Sequence, residues 1–403
     1  MKKIAVLLLA VCSLFCMTSC VDSEQLKEIA VVQAIGIDYD KDEFQLTLQI
    51  YSPKSAGGTS SIDTSKNNAT IITTSGTTIA DAMRNATLLQ GKTIFSGHNR
   101  VIVLGRDLSE QGIRQIFSYF NRDARTKQNA DVMMASTTAN EIVTTNIEQG
   151  MLAAETMENM VNNYKRNGLV YDSPYYLLSQ SMNVYDGCAA MPIIAMDEAE
   201  QEQTGQSDGN EESGSEAPEQ IQTVNKLKLT GTAVFRDYKL VNTMDKNQTR
   251  GLLLLDNQLK QSVVVAEEER LGKASVGIYD SNSSLKPVFG EDGSITFLLK
   301  AHLRASLDEV LLPQQEYLTE QAIKNLERSC ETILAEEATS AFQTAVNDSQ
   351  SDILYLKDSI LKSSRSVWNR VTGSFTEALP KMQIKTDITV TIDRMGLETD
   401  EKL

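Results

Sequence analysis

The chain has 403 residues, 41% of them hydrophobic and 23% charged, with 22 Gly and 7 Pro, a composition that excludes collagen-like, wholly disordered and multi-span membrane proteins. Thirty-eight Lys and Arg against 54 Asp and Glu leave a net charge of −16, which opposes a general attraction to phosphate backbones or anionic membrane surfaces, so no nucleic-acid partner is expected. Two His and five Cys are too few for the clusters that most metal and thiol chemistries need, and the length suits two or three domains.

Lys2 and Lys3 precede an almost wholly apolar run from Ile4 to Phe15, and small polar residues lead into Cys20, the order of an export signal. From Ile4 to Met17 the run is 14 residues, short for a bilayer core about 30 Å thick at about 1.5 Å per helical residue. Met17-Thr18-Ser19-Cys20 resembles a bacterial lipobox, in which a diacylglycerol is placed on the cysteine sulfur and the preceding bond is cut. Residues 1–19 are then a lipoprotein signal peptide and Cys20 is the lipidation site. The alternative is a plain secretory signal with a chance cysteine. Cys12 and Cys16 leave with the signal in either case, so only Cys188 and Cys330 remain besides Cys20. Cys330 sits at apolar helical spacing and reads as a core residue, with a Cys188–Cys330 bridge as the other reading.

Glu28 to Asp38 is an apolar run closed by Asp38, Asp40 and Asp42, and Phe44, Leu46, Leu48 and Ile50 then alternate with polar residues, which together predict a hairpin. Ser55 to Ser75 reads as a mobile loop. Thr78 to Leu89 carries a helical pattern through Ile79, Met83, Ala86 and Leu89; a strand follows at Arg100–Leu104, then a helix capped by Ser109 and running to Phe120, and a strand from Ala130 to Ala135. The alternation predicts a mixed sheet covered by helices.

Asp197 to Gln220 holds nine acidic residues, no Lys or Arg and almost nothing apolar, and so cannot offset the entropy of ordering itself. A β-rich region follows: Leu227, Thr230–Phe235, a turn near Asp237, Leu252–Leu255 and Ile295–Leu303. From Gln314 to Thr344 the pattern is helical, through Ile323, Leu326, Cys330, Ile333, Ala338, Ala341 and Ala345. The five-residue step before Ala338 makes the stripe either drift or shift to Leu334. A helix over Asp352–Val371 and a strand over Ile384–Asp393 end the chain. The expected fold class is α+β and multi-domain, with mixed and antiparallel sheets, packed helices and a long amphipathic helix in the C-terminal part. The expected division is an N-terminal domain at 20–196, an acidic disordered linker at 197–222 and a C-terminal domain at 223–400.

The sequence holds no Walker or dinucleotide loop, no Gly-x-Ser-x-Gly elbow and no His-Glu-x-x-His pair. His98 and His302 are about 200 residues apart. Glu267-Glu268-Glu269 and Glu336-Glu337 read as solvated helix faces, Arg122 and Asp123 as a loop ion pair or helix-end cap, and Trp368 as a core or domain-contact anchor. No catalytic, cofactor-binding or metal-binding residue is assigned.

Several segments in order resemble the Ger(x)C family, the lipoprotein C subunits of nutrient-germinant receptors in endospore-forming bacteria. They are Glu28–Asp38 with its return Phe44–Pro53, Ser96–Gly105, Phe120–Asp123, Gly231–Phe235, Thr249–Leu255, Ser351–Leu354, Trp368 and Ile388–Gly396. The chain departs from the family pattern in reading Cys20-Val21-Asp22 and in lacking a proline before the tryptophan helix. The resemblance implies a non-enzymatic subunit without cofactor, anchored by diacylglycerol on Cys20 to the outer face of the spore's inner membrane. Its implied partners are a multi-span transporter-like subunit and a second membrane subunit. A rival reading of the same leader is an extracytoplasmic solute-binding lipoprotein of a transporter, which needs a cleft lined by convergent polar groups.

Overall fold

In the computed structural model the described residues are 28–53, 68–145, 152–164, 166–197, 226–269, 272–311 and 319–394. The signal peptide, Cys20 and residues 198–222 of the acidic stretch lie outside them.

The fold is α+β, built on two sheets. The predicted hairpin is β1 (Ile29–Asp40) and β2 (Glu43–Tyr51), paired from Val32↔Ile50 to Asp40↔Glu43. Lys41 and Asp42 make its turn with φ of 50° and 63°, as a two-residue loop between right-twisted strands requires. A third strand, β3 (Ala69–Gly76), pairs with β2 where the sequence reads as loop. Its Ile72, Thr74 and Gly76 are buried and alternate with exposed or half-buried residues, but threonine-rich alternation carries too little apolar contrast to stand out.

The first sheet has nine strands in the order β3-β2-β1-β5-β6-β7-β8-β9, with β4 (Thr93–Phe95) also on β1. Its parallel centre is β1, β5 (Val101–Leu104), β6 (Asp131–Ala135) and β7 (Ala189–Asp197). Helices cover both faces. One face carries α1 (Ile79–Gln90), α2 (Arg106–Gln111), α3 (Arg114–Phe120) and α6 (Tyr175–Val184), and the other α4 (Ala139–Thr144) and α5 (Ala153–Tyr164). Thr78 caps α1 by accepting from the Asp81 N–H, and Gly91 ends it in the left-handed region. The helix expected from Ser109 to Phe120 is instead two, because Gly112 takes φ 133° between α2 and α3. Ser109 is no cap: its hydroxyl donates back to the Gly105 carbonyl at 2.8 Å.

β8 (Lys226–Arg236) pairs antiparallel with β7 from Ala189↔Phe235 to Asp197↔Lys226, and β9 (Lys239–Met244) pairs with β8. The acidic stretch therefore joins two neighbouring strands of one sheet.

The second sheet is β10 (Ser262–Glu268), β11 (Gly272–Phe289), β12 (Ile295–Val310) and β13 (Gln383–Arg394). One face packs on α7 (Lys246–Leu255) and α8 (Glu320–Phe342); the other exposes Val263, Val265, Lys300, His302 and Arg304. Leu252–Leu255, read from sequence within a β-rich region, belong to α7, all four buried. The overlooked signal is the capping box of Asp245 and Gln248, which starts the helix. In α8 the stripe shifts: Leu334 is fully buried, Ile333 only partly, and the helix widens into a π-turn at Gln343–Asp348. The helix expected over Asp352–Val371 breaks at Ser364, whose extended backbone divides α9 (Leu356–Ser363) from α10 (Arg365–Val371).

Two side-chain arrangements join these layers. Asp38, closing the first sequence motif, accepts from the Ala139 and Asn140 N–H groups at 2.8 and 2.9 Å and so caps α4 across the sheet. Burial pushes its carboxyl up despite those bonds. Arg250 of α7 donates to both Glu337 oxygens at 2.8 and 2.5 Å and to the Val263 carbonyl at 2.7 Å. Both side chains are 8% exposed, so Glu337 is no solvated residue; its charge is buried because Arg250 meets it with fork geometry.

Candidate functional site

Sequence-selected residues with chemical potential are spread through the fold. His98 follows β4 with its ring 5.6 Å from that of Phe95, while His302 is exposed on β12 of the other sheet. Arg122 donates back to the Ser118 carbonyl at 2.9 Å, and Asp123 accepts from Arg125, not Arg122. The Glu267–Glu269 block lies at the end of a strand, with Glu268 buried and accepting from Asn325 at 3.0 Å. Cys188 and Cys330 are both free and buried, and burial pushes the Cys330 thiol up to about 12. Trp368 is half-buried, 5.9 Å from Phe375. Among the described residues no group of three or more His, Cys, Asp or Glu could hold a metal ion.

The principal concavity is a groove of about 1310 Å³ along α1. Tyr39, Phe44, Ile79, Met83, Ile94, Leu108 and Tyr119 give it an apolar lining, and Arg84, Arg122, Asp123 and Arg125 stand around it. Tyr39 and Phe44 meet edge to face at 5.0 Å. Burial, then the neighbouring Asp123, raises the Tyr119 hydroxyl above its ordinary range. Three cations against one carboxylate make this a locally basic surface on an acidic chain. The sequence pattern marks Ile79 and Met83 for the helix core, but the walls come from four separate segments that only the sheet brings together.

A second cluster of polar residues seals the junction between the first sheet and the second half of the chain. Tyr171 donates to Asp256 and Tyr185 to Asp358, each at 3.0 Å, while the Lys357 ammonium lies 4.5 Å over the Tyr185 ring. Asp352 accepts from the Leu356 and Lys357 N–H groups at 2.6 and 3.1 Å and so fixes the start of α9. Burial pushes both the Asp256 and the Asp352 carboxyls up to about 6 against these bonds. Ser351 and Arg236 complete the seal, donating to the Phe235 and Ser349 carbonyls at 2.6 and 2.9 Å. Each of these side chains has a partner within the seal. The Ser351-Asp352 motif thus serves to join the halves.

Comparison with known proteins places these features. Residues 22–196 match the family described as spore germination protein N-terminal domain, and residues 230–396 the spore germination B3/GerAC-like C-terminal family. Spore germination protein B3 of Bacillus subtilis (strain 168) is 22% identical over 396 residues, covering 97% of this chain and 96% of that protein. Spore germination protein A3 of the same organism is 32% identical over 168 residues, covering 40% of this chain and 43% of that protein. The crystal structure of the GerBC protein superposes with a TM-score of 0.56 at 18% identity, covering 93% of this chain and all of that one, which shows a shared fold. With both modules matched in order along nearly the whole chain, the protein belongs to the Ger(x)C family of spore germination proteins.

Proposed function

We propose that this protein is a membrane-anchored lipoprotein subunit of a spore nutrient germinant receptor that acts through protein contacts without catalysis. The observation that carries the reading is the ordered match of both spore-germination modules, over residues 22–196 and 230–396, directly behind a leader that ends in Cys20. On this reading residues 1–19 are removed, and diacylglycerol on Cys20 holds the body at the outer face of the spore's inner membrane. The body works there beside a multi-span transporter-like subunit and a second membrane subunit. Anchoring raises its effective concentration at the membrane, so weak docking surfaces suffice.

The domain division at 20–196, 197–222 and 223–400 belongs to the same proposal. The second module lends β8 and β9 to the sheet of the first. That exchange, with the sealed junction, suits a body whose two modules act as one piece.

The test is affinity purification of the tagged protein from detergent-solubilised spore membranes, with mass spectrometry of what accompanies it. Recovery with a multi-span transporter-like protein and a second membrane subunit supports the proposal. Recovery alone, or with an ATP-driven importer, overturns it in favour of a solute-binding lipoprotein. Cys20→Ala is expected to release the protein from the membrane fraction and to weaken receptor output, and unchanged sedimentation counts against the lipid.

A further inference from the structure

Leu88 and Leu89, in the last turn of α1, are 78% and 67% exposed, more than any other large apolar side chain among the described residues. By spacing, Leu89 falls on the same helical face as Ala82 and Ala86, both fully buried, so the last turn runs past the surface that covers the rest of that stripe. One exposed leucine needs no explanation, but two adjacent at a helix end, with exposed cations Arg84 one turn before and Lys92 just after, form a patch of defined character.

The position of the patch follows from the topology. After Gly91 ends α1, Thr93 pairs with Ile29, so this last turn stands at the end of the sheet where β1 begins. Tyr51, 39% exposed, ends β2 at the same end of the sheet. Ile29 lies nine residues after Cys20, a tether of at most about 32 Å when fully extended. The far end of the sheet, with Tyr39 and Phe44, lies most of the 12-residue length of β1 further away, about 40 Å for the whole strand. A tether of that length brings the Leu88–Lys92 end to the bilayer first.

The geometry points to the C-terminal end of α1 as a membrane-docking surface: Leu88 and Leu89 enter the boundary between headgroups and acyl chains, and Arg84 and Lys92 meet anionic lipid phosphates. This rests on the acylation of Cys20 proposed above. Apolar side chains flanked by cations are what an interfacial helix end presents. On a chain of net charge −16, a local basic and apolar patch beside the tether selects which end approaches an anionic surface.

The experiment uses the full acylated protein carrying Trp368→Phe and Leu88→Trp. It is reconstituted into vesicles of phosphatidylglycerol and brominated phosphatidylcholine and compared with Trp368→Phe, Val263→Trp, Val263 lying on the open face of the second sheet. Flotation with the vesicles reports the anchor, and tryptophan emission reports docking. Blue-shifted, bromine-quenched emission from position 88 but not from 263 supports docking. Flotation with position 88 quenched only by aqueous iodide overturns docking while leaving the anchor intact. A blue shift without bromine quenching overturns it in favour of a second copy of the chain covering this end. Failure to float removes the acylation itself. Unmutated protein gives an independent reading if Trp368→Phe impairs folding. Lys92 is then expected to be protected from an aqueous amine reagent in vesicles relative to detergent while Lys300 stays reactive, and equal reactivity of Lys92 in both overturns the inference.

Discussion

The two sheets solve burial differently. The first has helices on both faces of a parallel centre, and its β5 and β6 are buried at every position. The second is covered on one face, so β10 and β12 alternate buried and exposed along most of their length. Burial on two faces demands continuous apolar runs such as Val101-Ile-Val-Leu104, whereas burial on one face leaves a period of two. The difference extends to what holds the helices. On the first sheet they are set by caps such as Asp38 and by small residues against β-branched strands. On the second, α7 and α8 are held together by the buried pair of Arg250 and Glu337. The second half should therefore be the more sensitive to loss of a single charge.

The largest expected effect breaks that pair. Glu337→Ala leaves the Arg250 guanidinium buried without its carboxylate and should lower stability by about 3–5 kcal/mol. Combining it with Arg250→Met should recover much of the loss in urea unfolding. A double variant no better than the single one would show that the helices depend on packing alone. Leu334→Ala should cost about 2–5 kcal/mol, and Ile333→Ala clearly less, because the buried stripe of α8 runs through Leu334. Equal losses would contradict the shift of the stripe. Gly251→Ala places a Cβ 2.2 Å from the Glu337 carbonyl oxygen, so α7 must move off α8 at a cost of about 1–3 kcal/mol, read as a lowered Tm.

A smaller effect tests the junction between the halves. The Asp256 and Asp352 carboxyls are held up at about 6, above their unfolded range near 3.9, so the folded state binds more protons between those values. Stability should consequently fall as pH rises from about 4 to about 6, with the penalty complete above the folded value. Asp256→Asn should flatten that slope in pH-dependent denaturant unfolding, and an unchanged slope would remove Asp256 as its source. The smallest effect is on the open face: Lys300 and Asp387 approach at 3.8 Å, each more than half exposed, so Lys300→Ala should change stability by less than about 0.5 kcal/mol.

Legibility in the sequence follows the same division. The hairpin of β1 and β2, the short buried strands, the alternation in β12 and β13 and the long stripe of α8 are local patterns of apolar residues at period 2 or 3.6. Failures occurred where the deciding contact is distant or the local signal is mixed. Leu252–Leu255 is an apolar run that fits strand or helix, and the Asp245–Gln248 box settles it. Glu337 looks like any helix-surface acid until Arg250 arrives from 87 residues away. Leu89 has the spacing of a core residue and is exposed because the helix outruns the sheet. The groove beside α1 was not legible at all, since its walls come from segments between Tyr39 and Arg125 that are adjacent only after the sheet forms.

The amino-acid sequence by itself determined the α+β class, the acidic composition of Asp197–Gln220 and the ordered motifs of the family, because each is a property of composition or short-range spacing. Tertiary structure alone decided that the acidic stretch joins two strands of one sheet, that β8 and β9 complete the sheet of the first module, and that Leu88 and Leu89 project beside the start of β1. Those facts depend on which strand edges and helix faces find each other, and pairing across tens to hundreds of residues leaves no local period to read.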